Sequence, residues 1–178
     1  MSMGKENEVE NTEDLFNQVV KTFSGLSSYS RWRGKLYAIG CSSEFGGTLC
    51  SCIDNPFLKY RVNSVFDSTK LENAKESMGI TKNEICLVQG DSTILGGGRE
   101  GFVCTDKGVY LKIDSARPQF IKWGNDVTFH VRDNGFFVRR AGNVCGSADF
   151  RWPSFRLHEL VTALTKVCAW ITENRPTQ

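Results

Sequence analysis

The feature that most constrains the fold of this chain is a succession of short strand patterns joined by tight turns that contain glycine. These patterns pair as residues 101–105 with 109–113 and residues 127–131 with 136–139. The first pair flanks Asp106-Lys107-Gly108 and the second flanks Asp133-Asn134-Gly135. Asn-Gly between strands is a strong hairpin signal, and glycine takes the positive φ that a three-residue hairpin loop needs. Successive hairpins, with a further strand near 143–150, predict a mostly antiparallel sheet.

The clearest helix pattern lies near the C-terminal end of the sequence. Ser154 is a suitable N-cap, and the pattern ends at Asn174 and Pro176. Apolar residues at helical spacing give this helix one apolar face: Leu157, Leu160, Val161, Leu164, Val167, Cys168 and Ile171. Such a helix is expected to seal one opening or one face of the sheet.

Two segments are predicted ahead of the hairpins. Residues 1–11 are polar and acidic and are expected to form a flexible leader. Residues 12–66 are expected to form an extension that consists of a helix and a β-hairpin. The helix begins near Asn11 or Thr12 and ends at Gly25. Its apolar face consists of Leu15, Phe16, Val19, Val20 and Phe23.

The main domain is predicted to span residues 67–178. The remaining expected elements are strands at 35–39 and 48–53, a helix from Asp67 or Ser68 to Met78, and a strand at 84–88. Gly79 is placed to close the helix. Together the patterns predict an α+β protein: a strongly bent antiparallel sheet, of barrel or sandwich type, closed by the C-terminal helix.

Composition restricts the class of protein. The chain has 178 residues, 40% of them hydrophobic, which suits one globular domain with an appendage. Lysine and arginine number 22 against 20 acidic residues, for a formal charge of +2. Proteins that coat nucleic acids usually carry a stronger basic excess, so this balance argues against such a role. No apolar run approaches the ~20 residues of a membrane-spanning helix.

The cysteine pattern indicates reduced thiols in the cytosol. There are seven cysteines at scattered spacing, and the acidic start of the chain does not resemble a secretory signal. One interpretation treats the thiols as small buried apolar groups. The other is a zinc site on Cys41, Cys50 and Cys52, but structural zinc sites favour paired Cys-x-x-Cys motifs, and here there is only one Cys-x-Cys. We therefore expect no metal and no cofactor.

Strands followed by one C-terminal amphipathic helix is the element order of pleckstrin-homology-like (PH-like) domains. A short helix at 71–75, an apolar strand after Glu84, a glycine-rich loop and the segment 100–110 resemble a PH-like domain found in many bacterial proteins. The resemblance covers about residues 67–172. It implies an adaptor or binding module without a catalytic set, and small stand-alone domains of this kind often neutralise a partner, as immunity proteins, antitoxins or inhibitors of defence systems do.

Three catalytic interpretations find little support in the sequence. Gly96-Gly97-Gly98-Arg99 lacks the Lys-Ser/Thr of a phosphate-binding loop and precedes a strand, so a flexible hairpin loop is expected. A Cys145–His130 pair is geometrically conceivable but has no accompanying signature. Single carboxylates lie mostly in turns, where they bond the local backbone. We therefore expect a protein that is not an enzyme.

A basic surface with interspersed aromatic residues is the strongest binding signal. Ten basic residues stand against six acidic ones between Arg99 and Arg156. The candidate partner-binding residues are Arg99, Lys112, Arg117, Lys122, Trp123, His130, Arg132, Phe137, Arg139 and Arg140. A surface of this kind suits an acidic protein or an anionic lipid headgroup, whereas a solvated face of mixed charge is the simpler alternative.

These observations lead to three functional hypotheses. The first is a non-enzymatic, cytosolic protein-binding module, of the immunity, antitoxin or inhibitor type. The second is a module that binds anionic lipid headgroups or a membrane surface through basic residues. The third is a cysteine- or zinc-dependent enzyme. Another protein is the expected partner, and nucleic acid is the least expected one.

Overall fold

The computed structural model describes residues 14–15, 17–19, 21–22, 36–38, 68–92, 97–133, 135–149 and 157–174. The strands are β1 (Leu36–Ala38), β2 (Cys86–Asp91), β3 (Gly101–Thr105), β4 (Gly108–Lys112), β5 (Gln119–Lys122), β6 (Val127–Arg132), β7 (Gly135–Arg140) and β8 (Asn143–Asp149). The helices are α1 (described residues between 14 and 22), α2 (Ser68–Met78) and α3 (Leu157–Asn174). The predicted leader, the predicted strand at 48–53 and the predicted N-cap of the last helix lie outside the described residues.

The described strands form two antiparallel sheets. Sheet A has the order β1-β2-β3-β4-β5, and sheet B has the order β6-β7-β8. The predicted α+β class and antiparallel pairing are therefore confirmed. The predicted barrel is not found among these strands, because the chain between β5 and β6 crosses from one sheet to the other without a ladder between those two strands.

Two turns are shorter than predicted. In the register Cys104 pairs with Val109, so the loop between β3 and β4 has only two residues. In the same way Arg132 pairs with Gly135. Gly108 and Gly135 begin strands, and neither has a positive φ. They are needed for close approach instead: a Cβ on Gly135 would lie 2.0 Å from the carbonyl oxygen of Ala148.

Strand β5 was not predicted from the sequence. It is four residues long and, among the described strands, lies at the edge of sheet A and pairs only with β4. Only Ile121 is buried, and Phe120 points outward with 47% of its surface exposed. A strand with a single buried position has no alternation of apolar and polar residues to recognise, which is why the sequence pattern did not indicate it.

The main core lies between the two sheets and beneath α3. Phe102 of sheet A meets Phe136 of sheet B edge to face, with ring centroids 5.4 Å apart. The apolar face predicted for the last helix is confirmed, since Leu157, Leu160, Leu164, Val167, Cys168 and Ile171 are all buried. Leu15 and Val19 of α1 belong to the same core. Strand β1 pairs with β2, so this part of the predicted extension is built into sheet A.

Helix α2 covers the other side of sheet A. Leu71, Ala74 and Met78 pack with Val103 and Tyr110 in a second apolar cluster. The helix ends as predicted at Gly79, whose φ is +71°. The amide of Ile80 donates to the carbonyl oxygen of Lys75 at 3.0 Å. This six-to-one bond is the Schellman motif, in which a glycine in the left-handed conformation closes the helix.

Candidate partner-binding surface

The ten candidate residues do not form one surface. Lys112 and Lys122 lie on the α2 side of sheet A, because their register partners align them with Tyr110. Arg99 and Arg117 lie in loops. The residues that come together are on sheet B: His130, Arg132, Phe137 and Arg139, with Arg140 at the end of β7.

Trp123 does not belong to the surface, because its side chain is only 3% exposed. Its indole Nε1–H donates to the carbonyl oxygen of Thr105 at 2.8 Å, and its ring packs 6.3 Å from that of Phe129. A buried tryptophan needs a partner for its N–H, and the end of β3 supplies that partner. Trp123 therefore joins the two sheets rather than contacting another molecule.

Several of the predicted cations are already engaged within the protein. Lys112 Nζ donates to the carbonyl oxygen of Ser77 at 3.2 Å, near the C-terminal end of α2 where carbonyls lack helical partners. Arg140 Nε donates to Asp126 at 3.1 Å. Arg132 lies 3.9 Å from Asp133. Cations that are dispersed and partly neutralised make a weak electrostatic surface for an anionic membrane.

The outer face of sheet B is formed by alternate residues of β6. Val127 and Phe129 are buried, whereas Thr128 and Arg132 are exposed and His130 is half-buried. Period-two alternation places alternate side chains on opposite faces of a strand, so His130 lies opposite the core as the sequence predicted. The register sets His130 directly opposite Phe137 and Thr128 opposite Arg139.

Three of these side chains form an ordered stack, which we call the His130–Phe137–Arg139 stack. The rings of His130 and Phe137 are 5.1 Å apart and inclined by only 14°. The guanidinium carbon of Arg139 lies 5.2 Å from the centroid of the Phe137 ring. Thr128 Oγ1 and His130 Nε2 are 3.0 Å apart, which fixes the imidazole from the side. Cation–π attraction and stacking thus hold three side chains in place on an open sheet face.

The outer strand β8 adds an apolar group that the sequence did not reveal. Its register shifts at a bulge, so that Arg139 pairs with Val144 rather than with Cys145. Val144 is 61% exposed. The signal in the sequence was weak, since a bulge breaks the alternation by which an outward residue is recognised. The register therefore places an exposed aliphatic side chain opposite Arg139 on the neighbouring strand.

The glycine-rich loop was expected to be flexible, but the part that the structure describes is held by side chains. Asn73 Nδ2 donates to the carbonyl oxygen of Gly97 at 3.0 Å, and Ser77 Oγ donates to that of Arg99 at 2.6 Å. Gln89 Nε2 is 3.4 Å from the Gly98 carbonyl. Side chains of α2 and β2 thus bind three successive carbonyls, which fixes this segment between β2 and β3.

A buried carboxylate that the sequence did not single out organises the adjoining end of sheet A. Glu84 is 9% exposed, and its oxygens accept hydrogen bonds from Thr81, Thr105 and Tyr110 at 2.8 to 3.0 Å. Burial, reinforced by the bond to Glu84, raises the pKa of Tyr110 above its usual range. Three hydroxyl donors from the described residues thus satisfy the buried carboxyl group, which indicates a structural role for this cluster.

The buried thiols do not resemble nucleophiles. Burial raises the pKa of Cys86 to about 12 and also raises the pKa values of Cys104 and Cys168. A nucleophilic cysteine needs the opposite shift. His130 and Cys145 lie on β6 and β8 with β7 between them, about 10 Å apart at the usual strand spacing. The structure thus separates the pair that catalysis by Cys145 would need.

The described ranges contain no group of three histidine, cysteine or acidic side chains that could hold a metal ion. The zinc alternative on Cys41, Cys50 and Cys52 lies outside these ranges. None of the helices in them is long and apolar enough to cross a membrane. No family model, curated protein or solved structure matches the chain.

Proposed function

We propose that this chain is a non-enzymatic, cytosolic protein-binding module that contacts its partner through the outer face of sheet B. The observation that carries the proposal is the His130–Phe137–Arg139 stack, which is ordered by its own contacts and faces outward. Within the described ranges no helix or strand packs over it. Aromatic residues and arginine are enriched among residues that contribute most to protein interfaces.

The fold adds support of a more general kind. Two antiparallel sheets followed by a helix that packs on the edge strand β6 is the arrangement expected of a PH-like domain. Binding modules of that kind, including those of the immunity, antitoxin and inhibitor type, act by covering a partner rather than by chemistry. A binding face on a rigid sheet suits such a role, because little conformational entropy is lost on association.

Site-specific photo-crosslinking in the native host tests the proposal. A photoreactive amino acid replaces Thr128, which lies on the outer face of sheet B, or, as a matched control, Lys122, which is also exposed but lies on the α2 side of sheet A. We expect a defined crosslinked product from position 128 that disappears when Phe137→Ser is added, and none from position 122. Products from position 122 alone, or no product from position 128, would reject the proposed surface.

Binding to membranes is tested in parallel. Vesicles of phosphatidylcholine with phosphatidylserine are floated with the full chain at low salt, where screening is weakest. We expect no flotation, because the basic residues are spread over both sides of the molecule. If the parent chain floats with the vesicles and Arg139→Gln abolishes this flotation, the partner is an anionic membrane and not a protein.

A further inference from the structure

Arg139 differs from the other arginines on sheet B because none of the described residues places a carboxylate beside it. Arg132 and Arg140 lie 3.9 and 3.1 Å from Asp133 and Asp126. Within the described ranges no acidic oxygen lies within 4.0 Å of Arg139, and its described contact is with the Phe137 ring. Arg139 is also exposed. It therefore presents a cation that is held in position but not neutralised.

The ring beneath Arg139 prepares it for a specific kind of ligand. A guanidinium has five N–H donors in one plane and forms two parallel hydrogen bonds to a carboxylate. An arginine side chain normally loses much rotamer freedom on binding, and the ring of Phe137 has already restricted it. Thr128 and the exposed Val144 flank it on the neighbouring strands. The surroundings thus combine a cation, a hydroxyl group and an aliphatic side chain.

The charge of the face is also unevenly distributed. Asp126 is already paired with Arg140, and the other carboxylates of the face, Asp133 and Asp149, lie at the turn between β6 and β7, where Gly135 pairs with Asp149. Arg139 is four residues further along β7, about 13 Å away at the usual rise per residue. That separation exceeds the Debye length of about 10 Å at 0.1 M salt, so Asp133 and Asp149 offset little of the field at Arg139.

We infer that Arg139 is the receptor for a carboxylate of the partner, and hence that the partner presents an acidic segment bordered by an apolar residue that contacts Val144. This inference rests on the proposed function and names the partner's chemistry. The carboxylate accepts hydrogen bonds at the edge of the guanidinium plane, while the ring of Phe137 packs against a face of that plane. Lysine would not serve equally, because its ammonium is a point charge without the planar fork.

Titration of the full, ¹⁵N-labelled chain with a defined peptide tests the inference by NMR. The probe is hexaglutamate, with hexaglutamine as the uncharged control. We expect shifts of the Arg139 side-chain Nε–Hε and of the amides of Thr128, Arg139 and Val144. Arg139→Gln is expected to weaken binding about 10- to 100-fold, since it removes charge-assisted hydrogen bonds to the carboxylate. Arg139→Lys is expected to weaken it several-fold, and Lys122→Gln to leave it unchanged.

Each other outcome counts against the inference. The absence of shifts at millimolar hexaglutamate, equal shifts with hexaglutamine, or unchanged affinity in Arg139→Gln would each overturn it. Crosslinking from position 128 distinguishes failure of this inference from failure of the proposed function. A partner that still crosslinks in Arg139→Gln but not in Phe137→Ser would support the proposed surface and contradict the binding of a partner carboxylate by Arg139. Binding to phosphatidylserine vesicles through Arg139, without shifts from hexaglutamate, would assign the arginine to a membrane. Unchanged amide spectra of the free variants exclude unfolding as the cause.

Discussion

Sheets A and B are covered in different ways. In sheet A all five residues of β3 are buried, because the facing sheet covers one side and α2 covers the other. In sheet B the burial alternates along β6, so only the inner side belongs to the core. In a strand that is buried on both sides, the side chains pack inside the protein and are not available to bind another molecule. The outer side of sheet B keeps side chains that are available for contact with another molecule.

The contrast is sharpest between two neighbours on β7. Phe136 is fully buried and meets Phe102 and Phe129. Phe137 follows it in the chain but stands on the outer face between His130 and Arg139. The two residues are of the same type and differ in the side of sheet B on which they lie. The core aromatic residue and the surface aromatic residue should therefore respond oppositely in assays of stability and of binding.

The largest expected effect comes from exchanging these neighbours for alanine one at a time. Phe136→Ala should lower the free energy of unfolding by about 3–5 kcal/mol, through lost burial and the cavity left behind. Phe137→Ala should cost less than about 1 kcal/mol because its ring is only half-buried. Urea denaturation of both variants measures the difference. Equal destabilisation would show that the outer face is part of the core after all.

Glu84 tests how closely the α2 side of sheet A is satisfied. Glu84→Gln places an amide N–H₂ against hydroxyl donors and should lower the free energy of unfolding by about 1–3 kcal/mol. Tyr110→Phe, which removes one donor and leaves the carboxylate its other partners, should cost about 1 kcal/mol. Glu72→Gln, on the exposed side of α2, is the matched control and should have no measurable effect. An unchanged free energy of unfolding in Glu84→Gln would contradict a structural role for this carboxylate.

The buried thiols predict loss of stability at alkaline pH. Burial holds the pKa of Cys104 above its usual range, so the thiol stays protonated in the native state while it ionises in the unfolded state. The contribution of the protonated Cys104 thiol to the free energy of unfolding is fully present below about pH 8.5, which is the pKa of the thiol in the unfolded state. Above that pH the contribution falls by up to about 1.4 kcal/mol per pH unit. Cys104→Val should show a shallower decline between pH 8.5 and 10.5 than the parent under reducing conditions. Identical slopes would count against the shift.

The smallest effect is expected at the turn between β7 and β8. Ala141 has a φ of +49° and precedes Gly142 at +82°. A residue other than glycine is strained in this backbone conformation, and asparagine tolerates the conformation better than alanine does. Ala141→Asn should raise the free energy of unfolding by about 0.5–1 kcal/mol. Thermal unfolding checks it against Ala116→Asn, an exposed loop position of ordinary φ. A gain at both positions would not support backbone strain as the cause.

Much of the fold was predictable because the patterns were local. The limits of α2 and the buried face of α3 followed from helical spacing, and β3 was predicted with its observed bounds. The edge strand β5 was missed, since Ile121 alone is buried in it. The role of Gly108 was also misread, because the requirement for glycine comes from the neighbouring strand and not from the turn.

The candidate surface was less predictable because it depends on register. Local alternation placed His130 opposite the core, but only pairing between strands brings it against Phe137. Composition could not separate Trp123, whose indole is bonded inside the core, from the surface aromatic residues. It also could not show that Lys112 is engaged by α2. Counting charges along the sequence therefore overestimated the extent of the basic surface. Strand pairing limits the candidate surface to the His130–Phe137–Arg139 stack on sheet B.

The pairing of β1 has a consequence for the kinetics of folding. Strands β2 to β5 and β6 to β8 pair with neighbours along the chain, which are contacts of short sequence separation that form quickly. Strand β1 pairs with β2 across a much longer interval, as Ala38 meets Val88. Closing that interval carries the larger entropic penalty. The edge of sheet A should therefore be completed after the hairpins and sheet B have formed.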